Sequence, residues 1–425
     1  MIEDVTGDRS ARLLFYCHDT YGLGHLRRTL TLATHLHGRW PSTSQLIVTG
    51  SPVAQSFPYP PGTDFIKLPA VVKTGAGRYM PRSIATSFAA VRDMRRDILF
   101  SAARHFQPDA LFVDHAPAGL DGEAVATLRY LKERSPRTHL ILGLRDILDE
   151  APRVRATWRR EGIHELLDDV YDRILVYGQR DVYDVVDEYG LSPRAAAKTR
   201  YVGYLRRAPS VRPRADVRAE LGVHDNRLVV VTAGGGGDGI ELFQSVLDAI
   251  RYEPAAAAYD WMLVAGPLMA ASELAALREQ VGPRAGIHIL SFAEDMASYL
   301  GAADAVVSMG GYNSVCELLS LGCLALIVPR VHPRREQLIR AEALSQRNLI
   351  RMLHPDRLSP RRLLTELDLL VSSPRDGLAV DFDGLSRVAF ELDALWRAQR
   401  PIAYPTPSAE WLAPLPGVST VPAVA

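Results

Sequence analysis

At 425 residues the chain is too long for one typical domain, and 47% apolar with 23% charged residues is ordinary globular composition. Lys+Arg and Asp+Glu both number 49, so no net field draws the chain to nucleic acid or anionic lipid. The three cysteines, Cys17, Cys316 and Cys323, show no CxxC spacing, which excludes a disulfide framework or cysteine zinc site and points to a reducing compartment. Cys17 and Cys316 fall in apolar elements and are expected as buried thiols. The polar stretch 1–10 does not read as a signal peptide, and no apolar run approaches the ~18 residues of a membrane span. A cytoplasmic protein is expected.

Residues 12–18 read as a strand. Gly22-Leu-Gly24-His25-Leu-Arg27-Arg28 follows and opens a helix through Leu30, Leu32, Ala33 and Leu36. This is not the dinucleotide fingerprint, because Arg27 stands where GxGxxG needs glycine, nor a Walker loop, because no GK[ST] follows. Strands are expected at 45–49 and 64–68, and 69–82 reads as a mobile loop rich in Gly, Lys and Arg. Ile84, Phe88, Val91, Ile98 and Ala102 mark a helix. Its arginines, Arg92, Arg95, Arg96 and Arg104, lie largely off that stripe and read as a solvated face. The sharper alternative makes them a surface for an anionic acceptor or for peripheral membrane contact. A strand at 110–113 ends at Asp114-His115, and a helix at 122–134 leads to a strand at 139–142, followed by Arg145-Asp146, a candidate internal ion pair. Helical residues 158–170, a strand at 174–177 and a helix at 181–189 complete an N-terminal domain, 1–205.

Residues 206–216 carry prolines and no periodicity and read as a linker. In the C-terminal domain, 217–380, a strand at 228–232 runs into Gly234, Gly235, Gly236 and Gly237 and a helix at 240–250. A strand at 261–265, a helix at 271–281 and a strand at 287–290 follow. An apolar run, 305–307, then breaks at Gly310-Gly311. Asn313 or Ser314 can cap the helix that follows, which reaches Gly322 as its C′ glycine, before a buried strand at 324–328. Helices are expected at 336–347 and 359–372. Leu385, Val388, Leu392 and Leu395 mark a helix in 381–400 that crosses back to the first domain. Residues 401–425, rich in proline, read as a disordered tail. The alternation predicts an α/β chain of two doubly wound, Rossmann-like domains facing a central cleft.

The turn at 310–317 carries the most chemistry. Glycines let a ligand approach the backbone, and the N–H groups of a helix start suit a phosphate. Glu317 lies on the same helix face as Asn313, one turn along, where a carboxylate can accept bonds from ribose hydroxyls. The ligand this predicts is a nucleoside diphosphate.

Three segments resemble the family 28 glycosyltransferases of the GT-B fold, best known for adding N-acetylglucosamine to a lipid-linked cell-wall precursor. They are Gly22-Leu-Gly24-His25-Leu-Arg27-Arg28, then Ser291-Phe292-Ala293-Glu294-Asp295-Met296 with Ala302-Ala303-Asp304, and Gly310 to Glu317 with Glu336-Gln337. The resemblance covers most of residues 10–375. It implies a nucleotide-sugar donor, UDP-linked, with no separate cofactor and no bound metal. It places the base against the backbone of Phe292 and Ala293, and the diphosphate on Gly310, Gly311, Asn313 and Ser314. Ribose falls to Glu317 and the sugar to Gln337, with Gly24 and Gly234 to Gly236 closing from the other side. His25 becomes the base toward the acceptor, and histidine is a side chain that can be neutral at physiological pH. Asp114 orients or assists His25, or only caps a helix. Arg28 faces the phosphates or pairs with an acid. Asp381-Phe-Asp383 matches the metal triplet of the other glycosyltransferase fold, but follows the second domain rather than a central strand.

The leading expectation is inverting transfer of a sugar to an acceptor hydroxyl or amine on a lipid carrier, a saccharide or a secondary metabolite. A nucleotide-sugar hydrolase or epimerase on the same fold is the alternative, since GxGHxxR recurs there. A catalytically silent nucleotide-sugar-binding protein is the third.

Overall fold

The computed structural model describes residues 10–19, 24–74, 79–206, 211–235, 237–282, 284–372 and 380–398. Gly22, Gly236 and the proline-rich stretch 401–425 lie outside the described residues.

The first half holds β1 (Arg12–Cys17), β2 (Ser44–Thr49), β3 (Thr63–Lys67), β4 (Val71–Lys73), β5 (Tyr79–Pro81), β6 (Ala110–Asp114), β7 (His139–Arg145), β8 (Arg173–Tyr177) and β9 (Thr199–Tyr201). All but β4 and β5 form one parallel sheet, ordered β3-β2-β1-β6-β7-β8-β9. The second half holds β10 (Arg227–Thr232), β11 (Tyr259–Val264), β12 (Ile287–Leu290), β13 (Ala305–Ser308), β14 (Ala325–Ile327) and β15 (Arg351–Met352). They form a second parallel sheet, ordered β12-β11-β10-β13-β14-β15. Central strands such as Leu13 to Cys17 and Val229 to Val231 are buried throughout. Helices cover both faces of a parallel sheet, so its strands read as apolar runs.

Strand order reverses between β1 and β6 in the first sheet, and between β10 and β13 in the second. At such a switch point the connections leave in opposite directions and open a crevice at the carboxyl ends. Gly24, which opens the helix after β1, and the glycine turns after β10 and β13 therefore sit at these crevices.

Several expectations shift. The loop 69–82 contains the antiparallel hairpin β4–β5. The short β9 and β15 and the helix Pro193–Lys198 carried too little periodicity to be anticipated. The expected helix 158–170 breaks into Ala151–Arg160, Ile163–Glu165 and a wide turn Leu166–Val170. The helix after β13 runs Tyr312–Ser320 and is capped by Gly311, with no side-chain cap, rather than by Asn313 or Ser314.

Helix α1 (Gly24–Arg39) follows β1, and α2 (Phe88–Phe106) follows the hairpin. The buried stripe of α2 is Val91, Arg95, Leu99 and Ala103, one turn apart, so Arg95 is core and not solvated. Its guanidinium pairs with buried Glu123 at 2.7 Å and also donates to the carbonyls of Pro69 and His18. Arg92 and Arg96 pair with Asp93, Asp97 and Asp121. The face they share is charge-balanced.

The helix Gly384–Ala398 packs on the first domain: Val388, Leu392 and Leu395 join its core, and Trp396 meets Trp40 edge-on at 5.0 Å. Asp381 lies beneath this helix. Its carbonyl accepts from Tyr204 N, its carboxylate pairs with Arg387, and Gly203 (φ +85°) allows the close approach. The Asp381-Phe-Asp383 triplet is thus a strap between chain segments.

Candidate active site

An open cleft of about 1060 Å³ lies between the two sheets, lined by Gly24, His25, Arg28 and Arg145 from the first half. From the second half come Gly234, Gly235, Phe292, Ala293, Gly311, Asn313, Ser314, Glu317 and Gln337. The cleft gathers residues as far apart in sequence as Gly24 and Gln337.

On the first-domain side, β1 and β6 bring His25 and Asp114 together. His25 Nδ1 lies 2.6 Å from Asp114 Oδ2. A carboxylate only accepts, so Nδ1 carries the proton and Nε2 is left as the basic nitrogen. Asp114 therefore orients His25 and is not a mere cap. Arg28, one turn along α1, places Nε 2.7 Å from Asp114 Oδ1 and Nη2 2.6 Å from Oδ2. Of the two places open to Arg28, the structure shows the acid partner. Burial disfavours the charged carboxyl of Asp114, but the Arg28 charge and the His25 bond outweigh it. Asp114 is held well below the usual carboxylate range.

Two further histidines join the cluster and were not singled out from sequence. The His18 and His115 rings lie 4.6 and 5.2 Å from the His25 ring. Burial first, and then neighbouring positive charge, keeps both well below the ordinary histidine range. Asp19 is buried beside them and raised by that burial. The signal was position: each ends a strand at the switch point. Arg145 and Asp146 do not pair with each other. Arg145 contacts the His115 ring, and Asp146 pairs with Arg340 across the domains.

On the opposite side, Gly310 makes the turn (φ +78°), since a Cβ there would come within 2.7 Å of Ile327. Gly310 is buried, and Gly311 reaches the cleft. Asn313 Nδ2 donates to the Gly24 carbonyl at 3.2 Å, tying the start of α1 to the turn after β13. Ser314 and Glu317 face the cleft along the same helix. Gln337 is held by the Arg330 amide, which donates to its Oε1 at 2.9 Å. Tyr312 lies between two guanidinium groups, with Arg28 at 5.6 Å and Arg340 at 5.7 Å from its ring. Among the described residues no group of three His, Cys, Asp or Glu is arranged to hold a metal ion.

Residues 229–380 match the glycosyltransferase family 28 C-terminal domain. A curated relative, the UDP-N-acetylglucosamine–N-acetylmuramyl-(pentapeptide) pyrophosphoryl-undecaprenol N-acetylglucosamine transferase of Bdellovibrio bacteriovorus, is 31% identical over 163 residues, 36% of this chain and 44% of the relative. The chain thus spans less than half that relative's length. Acinetobacter baumannii MurG superposes with a TM-score of 0.56 at 15% identity, over 91% of this chain and 99% of that one. A putative UDP-N-acetylglucosamine 2-epimerase from Listeria monocytogenes gives 0.61 at 13% identity, over 92% and 98%. At such identities these structures speak to fold alone. The chain has the GT-B fold, and within it residues 229–380 are similar to the C-terminal domain of glycosyltransferase family 28.

Proposed function

We propose that the protein transfers a sugar from a UDP-sugar to an acceptor hydroxyl or amine by a single inverting displacement. The observation that carries the reading is the His25–Asp114 pair, 2.6 Å apart, facing a cleft whose opposite wall is the Gly311 to Glu317 turn. In this scheme Nε2 of His25 takes the acceptor proton as the acceptor attacks the anomeric carbon. The bond to the diphosphate breaks, and its charge develops against the first turn of the helix Tyr312–Ser320, whose N–H groups no side chain caps. Asp114 holds the tautomer and stabilises the imidazolium, while Arg28 keeps Asp114 ionised.

The family match supports Glu317 at the ribose, Gln337 at the sugar and the backbone of Phe292 and Ala293 at the base. Gly234 and Gly235 close over the phosphates. Asn313, already bonded to Gly24, acts as a tie between the domains, leaving the phosphates to Ser314 and the backbone. Among the described residues no helix is long and apolar enough to cross a membrane. A lipid-linked acceptor, like the one named for the Bdellovibrio relative, would therefore reach the cleft through surface contact.

A titration of UDP, with TDP, GDP and ADP as controls, tests the donor class. Selective UDP binding is expected, weakened about tenfold or more by Glu317→Ala, as for a lost hydrogen bond to a charged group. Absence of nucleotide binding by the folded protein would overturn the reading. Rapid release of free sugar with no acceptor present would move it to hydrolysis.

A further inference from the structure

A single guanidinium holds the carboxyl ends of neighbouring strands in the first sheet. Arg95 lies on the buried stripe of α2 and is wholly buried together with its partner Glu123. Its Nε and Nη2 donate to the two carboxylate oxygens of Glu123, each at 2.7 Å. Nη2 also donates to the His18 carbonyl at 3.1 Å, just past β1. Nη1 donates to the Pro69 carbonyl at 2.8 Å, just past β3. Gly50 follows β2, and a Cβ there would collide with the His18 carbonyl and the guanidinium. Glu123 belongs to the segment after β6. It accepts from the Tyr16 hydroxyl of β1, which in turn accepts from Leu120 N at 3.2 Å. The sheet order β3-β2-β1-β6 makes these strand ends contiguous, and the β1 end leads on to α1 and His25.

A pair this deep adds little stability for its size. Taking both charges out of water costs about as much as their attraction returns, and packed apolar side chains serve a fold as well or better. What an apolar pair lacks is direction. A guanidinium carries its N–H groups in one rigid plane, and Arg95 uses all three nitrogens to tie Glu123, His18 and Pro69 at fixed angles. His18 links that tie to the site. Its ring lies 4.6 Å from the His25 ring, tilted by 52°. Holding the His18 carbonyl fixes where that ring starts, and the ring limits how His25 can turn about its bond to Asp114.

We infer, on the glycosyl-transfer reading, that Arg95 is a positioning residue for His25. With Glu123 it sets the carboxyl edge of the first sheet and, through His18, the aim of His25 Nε2 at the acceptor. Being wholly buried, it acts only through that edge.

The test replaces the ion pair by a neutral one, Arg95→Met with Glu123→Gln, in which glutamine still accepts from the Tyr16 hydroxyl. Thermal melting, UDP affinity and release of UDP from UDP-N-acetylglucosamine without added acceptor are compared with wild type. Nuclear Overhauser contacts between the His18 and His25 rings are read in histidine-labelled protein. The variant is expected to melt cooperatively and to bind UDP as wild type does. It should release UDP about ten- to a hundredfold more slowly, as misplacement of a catalytic group does, and lose the ring contact. Arg95→Lys serves if the double variant does not fold. Its ammonium still neutralises Glu123 but cannot reach both carbonyls, so the same losses are expected in smaller measure. A folded variant with ring contact and UDP release unchanged would overturn the positioning role. So would a UDP affinity that falls in step with release, the mark of general loosening. A wild type that fails to bind UDP defeats the donor reading instead. In that case, or if wild type binds UDP but does not cleave this sugar nucleotide, the ring contact alone decides for or against Arg95.

Discussion

His25→Ala is expected to lower turnover by about two to four orders of magnitude, the range a positioned general base supplies, and to leave UDP affinity nearly unchanged. The split follows from the geometry, because His25 sits on the first-domain wall and the nucleotide's expected contacts lie on the second. Asp114→Asn should produce a loss of similar size. Asparagine keeps the shape but removes the anion that fixes the Nδ1 proton and stabilises the imidazolium. It also strands the buried Arg28, so stability should fall as well. The carboxyl of Asp114 titrates below its usual range in the folded protein. Its contribution is therefore complete at neutral pH and is lost as pH falls below the ordinary carboxylate range. A pH series of thermal melts on wild type and Asp114→Asn should converge under acid conditions. Curves that stay parallel into acid would show that Asp114 is not the linked group.

The second large effect concerns the joint between the domains. Asp146 and Arg340 are both about 1% exposed and meet at 2.8 Å, with Arg340 Nε a further 3.0 Å contact. Arg340 also reaches the carbonyls of Ile147 and Gly310. It thereby connects the end of β7 to the glycine turn after β13. Burial disfavours the guanidinium charge, and Asp146 reverses that, holding Arg340 above its ordinary value. Asp146→Ala leaves a buried cation unpaired, which costs about 3–5 kcal/mol. The midpoint of thermal unfolding should fall by roughly 5–10 °C. The double replacement Asp146→Leu with Arg340→Met should recover much of this, since an apolar pair of similar volume carries no charge to strand. A single variant as stable as wild type would mean the pair contributes nothing at the joint.

Much of the fold was legible because parallel strands buried on both faces leave continuous apolar runs. Residues 287–290 and 271–281 appear in the structure with the bounds the pattern implied. Edge strands such as Arg351–Met352 were not legible, since two residues carry no period. The arginine at position 95 misled for a physical reason. A buried guanidinium paired with Glu123 looks, in sequence, like any other charge on a helix. The glycine turns announced themselves by composition. The bond from Asn313 to the Gly24 carbonyl did not, because a contact across 289 positions leaves no local trace. The same holds for His18, His115 and Arg145. Each ends a strand, and only the strand order β1-β6-β7 shows that those ends are neighbours.

A crystal structure with UDP bound tests the central claim most directly. The account predicts the diphosphate at hydrogen-bond distance, ~3 Å, from the backbone N–H groups that open the helix Tyr312–Ser320, with ribose hydroxyls on Glu317 and His25 Nε2 facing the phosphate end. UDP bound elsewhere, or bound with its phosphates away from that helix start and from His25, would contradict it.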